Sequence, residues 1–134
     1  MYTRRLYFHG YVMLMIAFLL GFPTATAANG FRWMTAHVGT MLGAVVVLVT
    51  AGAWEVLKLN ERQQKWAFRL FLAGAYAGTF INIFGAMTNM PGPATQPGVA
   101  PEPYQAVVLI ASLAIIVPGF IGATALLIKG MRGN

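Results

Sequence analysis

"MTAHVGTMLGAVVVLVTAGAWEVL", Met34 to Leu57, decides the fold. It carries one formal charge, Glu55, close to its end, and one imidazole, His37, barely a turn from its start. A helix crossing hydrocarbon needs about 20 mostly apolar residues, and this run meets that length. Working outward, three more runs of the same kind appear: Leu6 to Ala28, Trp66 to Met87 and Gln105 to Ile128. Of the 134 residues, 58% are hydrophobic and 9% charged, with a mean hydropathy of +0.68. That balance is far too apolar for a soluble domain of this size. A transmembrane β-barrel would show alternating segments of about ten residues, and these runs do not alternate. The expectation is an all-α integral membrane protein. Its four-transmembrane-helix bundle forms a single membrane domain over residues 1–134, with spans at 6–28, 34–57, 66–87 and 105–128.

The first run also resembles a secretory signal, because Arg4 and Arg5 precede an apolar core and "TATAA" (Thr24 to Ala28) supplies small residues. Its apolar length exceeds the usual signal core of about 7–15 residues, so a retained helix is expected, with Pro23 near its end where a lost backbone bond is easily resatisfied. Cations set the orientation. Arg4, Arg5, Lys58, Arg62, Lys65, Lys129 and Arg132 fall on one side, while the 29–33 connection has only Arg32 and residues 88–104 have none. Both termini are therefore expected to face the cytoplasm. Topology and attraction to anionic headgroups of the membrane lipid account for the net charge of +6, and no nucleic-acid partner is needed.

The connections at 29–33 and 58–65 are short links between antiparallel neighbours, whereas "TNMPGPATQPGVAPEPY" (Thr88 to Tyr104) is long and holds five of the seven prolines. It is expected to lie over the outer helix ends, as an inert cover or as a lid. Small residues mark close helix approach: Gly39 and Gly43 on the second span, Gly74 and Gly78 on the third. Such faces suit simple helix contact, an interface between copies, or a flat ligand.

Antiparallel second and third spans place His37 and Asn82 at nearly one depth, about 3 Å apart by helix rise, with Thr40 and Thr79 in the same half. Asn82 continues the Gly74–Gly78 stripe. His9, Glu55 and Arg69 belong to the cytoplasmic level, where Glu55 and Arg69 suit an interfacial pair or snorkelling. The outer constellation holds no carboxylate and the sequence no cysteine, so paired-acid hydrolysis, a Ser/His/Asp set and a cysteine nucleophile are all excluded there. Two histidines about 20 Å apart in depth serve zinc poorly. A single imidazole beside a small-residue groove either makes a polar contact at a helix end or supplies one axial ligand to a haem.

"FHGYVMLMIAFLLGF", "AHVGTMLGAVVVLV", the polar hairpin and an aromatic-rich third span ending before a Pro/Gly loop resemble the small membrane isomerases typified by styrene oxide isomerase. Among these the chain is most similar to the hydroxylaminobenzene mutases. The resemblance implies a homotrimer in the bacterial inner membrane, with ferric haem b bound non-covalently between subunits and His37, in Ala36-His37-x-Gly39, as its axial ligand. It implies that Gly39, Gly43 and Gly78 surround the cofactor. Where the epoxide isomerase has its catalytic tyrosine, acid and asparagine, the positions here are Asn82, Gly74 and Gly43, and the chain contains no aspartate at all.

The expected reaction is therefore rearrangement of a small aromatic hydroxylamine to a 2-aminophenol, with Asn82 orienting the substrate and Thr40 or Tyr76 donating a proton. Epoxide isomerisation is the alternative. A haem-binding electron-transfer or accessory subunit shares the His37 site, and a small multidrug transporter fits the span count but lacks a carboxylate inside its first helix.

Overall fold

The computed structural model describes residues 1–92 and 96–132. Every regular element among them is helical. The chain runs through α1 (Tyr2–Gly21), a short α2 (Pro23–Thr26), α3 (Gly30–Ala53) with a 3₁₀ turn at Trp54–Val56, α4 (Glu61–Met87) and α5 (Pro103–Arg132). Four helical stretches, Tyr2–Thr26, Gly30–Val56, Glu61–Met87 and Pro103–Arg132, are long and apolar enough to cross a membrane. The expected all-α, four-span architecture is thus the observed one.

The helices depart from the expected spans at most of their ends, and three of these differences have a local reason. The first span is not a single helix to residue 28: the ladder is interrupted at Phe22, and Pro23, having no N–H to lose, opens α2 at its first position. The second span begins at Gly30 and not Met34, adding a polar first turn that contains Arg32. The third begins at Glu61, five residues before Trp66, because Asn60 and Gln63 form a reciprocal capping box: Gln63 N–H donates to Asn60 Oδ1 at 2.9 Å and Asn60 N–H donates to Gln63 Oε1 at 3.1 Å.

Lipid offers apolar side chains no reason to leave it, so membrane helices associate through close packing at small residues. The buried positions follow that rule, with Ala17, Ala36, Ala44, Ala51, Ala67, Ala75, Ala86 and Ala123 all inside. α1 packs along α3, α3 meets α4, and α5 packs lengthwise on α4. The α4–α5 contact is tightest at Gly119, where an added Cβ would fall 2.9 Å from the Leu70 carbonyl oxygen and 3.0 Å from Gly74 Cα.

The end of the bundle carrying the 88–102 segment is fastened by side-chain amides. Asn29 Nδ2 donates to the Ala86 carbonyl, and buried Gln105 donates to the Thr88 carbonyl while accepting from Glu102 N–H. Met90 is buried against Gly85, its N–H bonded to the Gly85 carbonyl. The start of the long connection therefore does fold over the end of α4. Residues 93–95 of that expected cover lie outside the described residues.

Candidate functional site

His37 lies on the flank of α3 that faces α1. Its Nδ1 is 2.7 Å from the Ala17 carbonyl oxygen, and the ring packs where Gly21 has no side chain: a Cβ there would fall 3.3 Å from Nδ1. A carbonyl can only accept, so Nδ1 carries the proton, and in the neutral ring Nε2 is left with the lone pair. An imidazole fixed in this tautomer by a backbone carbonyl is the usual arrangement of a metal-ligating histidine. The expected polar contact is present in this side chain, and Nε2 is the nitrogen it leaves unengaged.

Asn82 meets α3 on its other flank. A Cβ at Gly39 would fall 2.6 Å from Asn82 Nδ2, so the amide occupies the space that this glycine leaves. Gly39 is two residues, about 3 Å of rise, from His37, which places His37 and Asn82 at the expected common level. Two residues also turn the helix by about 200°, so the imidazole and the amide do not face one cavity. Asn82 instead joins Gly39, Gly43, Gly78, Thr79, Leu42, Val46 and Ala75 around a groove of about 250 Å³ between α3 and α4. Phe120 from α5 closes its end near Gly74. The four glycines expected at helix contacts divide by role. Gly74 packs against Phe120 at 3.3 Å from an added Cβ, while Gly78 looks into open space.

An apolar cavity of about 150 Å³ already accepts benzene. The α3–α4 groove therefore has room for one substituted aromatic ring. Its polar inventory is one amide and the Thr79 hydroxyl, which is buried without a hydrogen-bond partner. Thr40 is likewise buried and unpartnered, but it does not line the groove. Tyr76 stands farther off. It is six residues, about 9 Å of rise, from Asn82, and its hydroxyl pairs with His9 Nδ1 at 2.9 Å, edge-on to the imidazole. His9, expected at the cytoplasmic level, and Tyr76, expected as a proton donor, are partners. Glu55, in the 3₁₀ turn after α3, and Arg69, the ninth residue of α4, are both exposed, as snorkelling side chains would be.

One residue of this region had been counted only as a topological charge. Arg32 lines a second cavity of about 170 Å³ together with Thr35, Asn82, Gly85 and Met90. Asn82 is common to both cavities. The signal was present in the spacing, because Arg32, Gly39, Gly43 and Val46 recur at i, i+7, i+11 and i+14 and form one stripe on α3.

A family model described as styrene oxide isomerase matches residues 2–132. No curated protein and no solved structure matches the chain.

Proposed function

The chain belongs to the styrene oxide isomerase family, and from that premise we propose that it is a mutase-type isomerase converting arylhydroxylamines to 2-aminophenols. The observation that carries this choice of substrate is the groove's inventory: an amide and a hydroxyl, with no carboxylate and no tyrosine lining it. An epoxide must be activated by acid–base groups at its ring oxygen. An arylhydroxylamine instead brings its own leaving group, and the nitrogen lone pair and the ring share the positive charge that develops as the N–O bond breaks. In the net reaction the N–O electron pair departs with oxygen, a C–O bond forms at the ortho carbon, that carbon loses its proton and nitrogen gains one.

His37 is the residue that would hold ferric haem b, through the Nε2 that its Ala17 contact leaves free. The cofactor would supply Lewis acidity toward the N–O group without net redox change. Asn82 orients the hydroxylamine, and its fixed dipole is worth more in a dry groove than in water. Gly39, Gly43 and Gly78 leave the space for the ring. Thr79 is the hydroxyl placed to accompany Asn82. Because His37 and the groove lie on different flanks of one α3, a site using both is completed when a neighbouring copy presents its groove to the first copy's imidazole. This supports the homotrimer with cofactor at subunit boundaries. The same reading places the protein in the bacterial inner membrane with both termini cytoplasmic.

The epoxide alternative is favoured by the family's own description. Steady-state assays on hydroxylaminobenzene and styrene oxide separate the two, with the hydroxylamine expected to turn over much faster. Asn82→Leu should impair that turnover and leave haem content intact. Equal or better epoxide turnover by the unaltered protein would reverse the assignment.

A further inference from the structure

We propose that Arg32 makes the loop-side end of the α3–α4 groove a carboxylate-binding site. Two of its guanidinium nitrogens, Nε and Nη2, are buried without a hydrogen-bond partner. These two nitrogens form one edge of the guanidinium fork, whose paired, parallel N–H bonds match the two oxygens of a carboxylate. A cation in this position is costly to leave unpaired, and the cavity beside it is about 170 Å³, room for an acid group and not for a macrocycle.

The surroundings fit the same occupant. Thr35 and Asn82 add a hydroxyl and an amide to the lining, and Met90 of the folded-over connection and Ile81 of α4 close it with apolar surface. No carboxylate of the chain lines this cavity. Arg32 and Gly39 share a helix face seven residues apart, so a molecule whose ring lies among the glycines can extend an acidic arm past Asn82 to the guanidinium. The carboxylate comes either from an aromatic acid, which would make the substrate class carboxylated arylhydroxylamines, or from a propionate arm of haem. The haem branch rests on the function proposed above; the aromatic-acid branch concerns the cavity alone.

Equilibrium binding to the full-length protein in detergent tests both branches without turnover. Calorimetric titration would compare benzoate with benzamide on haem-free protein, then haem b with its dimethyl ester. The expected result is a preference of about tenfold or more for the acid in at least one pair. Arg32→Gln should abolish it, and Arg32→Lys should retain part, since an ammonium keeps the charge but loses the fork. Benzoate preference that persists in haem-loaded protein assigns the site to substrate. Benzoate binding confined to haem-free protein, with haem b preferred over its ester, assigns it to the propionate. Failure of haem to bind in either form would count against the cofactor reading and leave the benzoate arm standing.

Three results would overturn the proposal. The first is acid and neutral isostere binding alike in both pairs. The second is a preference that survives in an Arg32→Gln protein of unchanged helicity and oligomeric state. The third is benzoate binding only after Glu102→Gln, which would mean that a second copy's carboxylate already fills the fork.

Discussion

At His37 the position of one proton carries the chemical argument. The Ala17 carbonyl fixes it on Nδ1, which leaves Nε2 as the nitrogen that would hold haem under the proposed function, and His37→Ala should then remove the Soret absorption and the activity together. His9 instead spends its Nδ1 on the Tyr76 hydroxyl. His9→Ala should keep a normal Soret band, and its loss in that variant with retention in His37→Ala would exchange the two roles. A second residue-scale prediction concerns Gly39. A Cβ there falls 2.6 Å from Asn82 Nδ2, the mobile end of a side chain, so Gly39→Ala can be relieved by swinging the amide aside. Thermal stability should change little, while turnover falls on the order of 10- to 100-fold because a substrate-orienting group misplaced by about 1 Å costs that much. Wild-type kcat/KM in this variant would remove Asn82 from the site. The common depth of His37 and Asn82 was legible in sequence because antiparallel helices convert residue counts directly into depth. Tyr76, expected as one of two proton donors, lies outside the groove lining and pairs with His9, because six residues of rise and turn separate it from Asn82. Arg32 was hidden by its usefulness as a topology marker.

Among the elements, α4 and α5 show what glycine does at a helix crossing. Gly119 sits so close to Leu70 and Gly74 that a methyl group would press on backbone atoms that cannot move independently. Gly119→Ala should therefore destabilise the protein by about 1–3 kcal/mol, the usual cost of overpacking, read as a lowered thermal midpoint in detergent with helical content retained. Gly78→Ala is the control, since nothing lies within 4 Å of its added Cβ; it should leave the midpoint near wild type. Equal losses from both would mean that the crossing is not held by close approach at Gly119. Sequence marked Gly74 and Gly78 as one motif because four-residue spacing is common to packing faces and ligand grooves. Only the position of Phe120 and the empty space at Gly78 separate them. The helix spans themselves were legible because hydrocarbon thickness fixes apolar length. Their polar extensions were not, since residues 61–65 enter α4 through a capping box and carry no hydropathy signal.

For the whole molecule, the exposed surface of α3 and α5 raises the question of what covers it. Val38, Leu42, Val45, Val46 and Val49 on α3, and Ile110, Leu113, Val117 and Ile121 on α5, all face outward. Lipid satisfies such side chains as well as protein does, so their exposure alone demands no partner. Under the proposed function a divided site would: His37 packs on the α1 flank of α3, while the groove of about 250 Å³ opens between α3 and α4. On that reading we propose that the haem-loaded species contains more than one copy, three by the family resemblance. Native mass spectrometry of protein released from mild detergent should then show a trimer carrying haem. Gly78→Leu supplies the sharper test, because its side chain would project into open groove space and not into a helix crossing. Haem occupancy and trimer content should fall together in that variant while helical content stays constant. A monomer that keeps its haem would sink the boundary site, since it would place every group needed to hold the cofactor on a single chain.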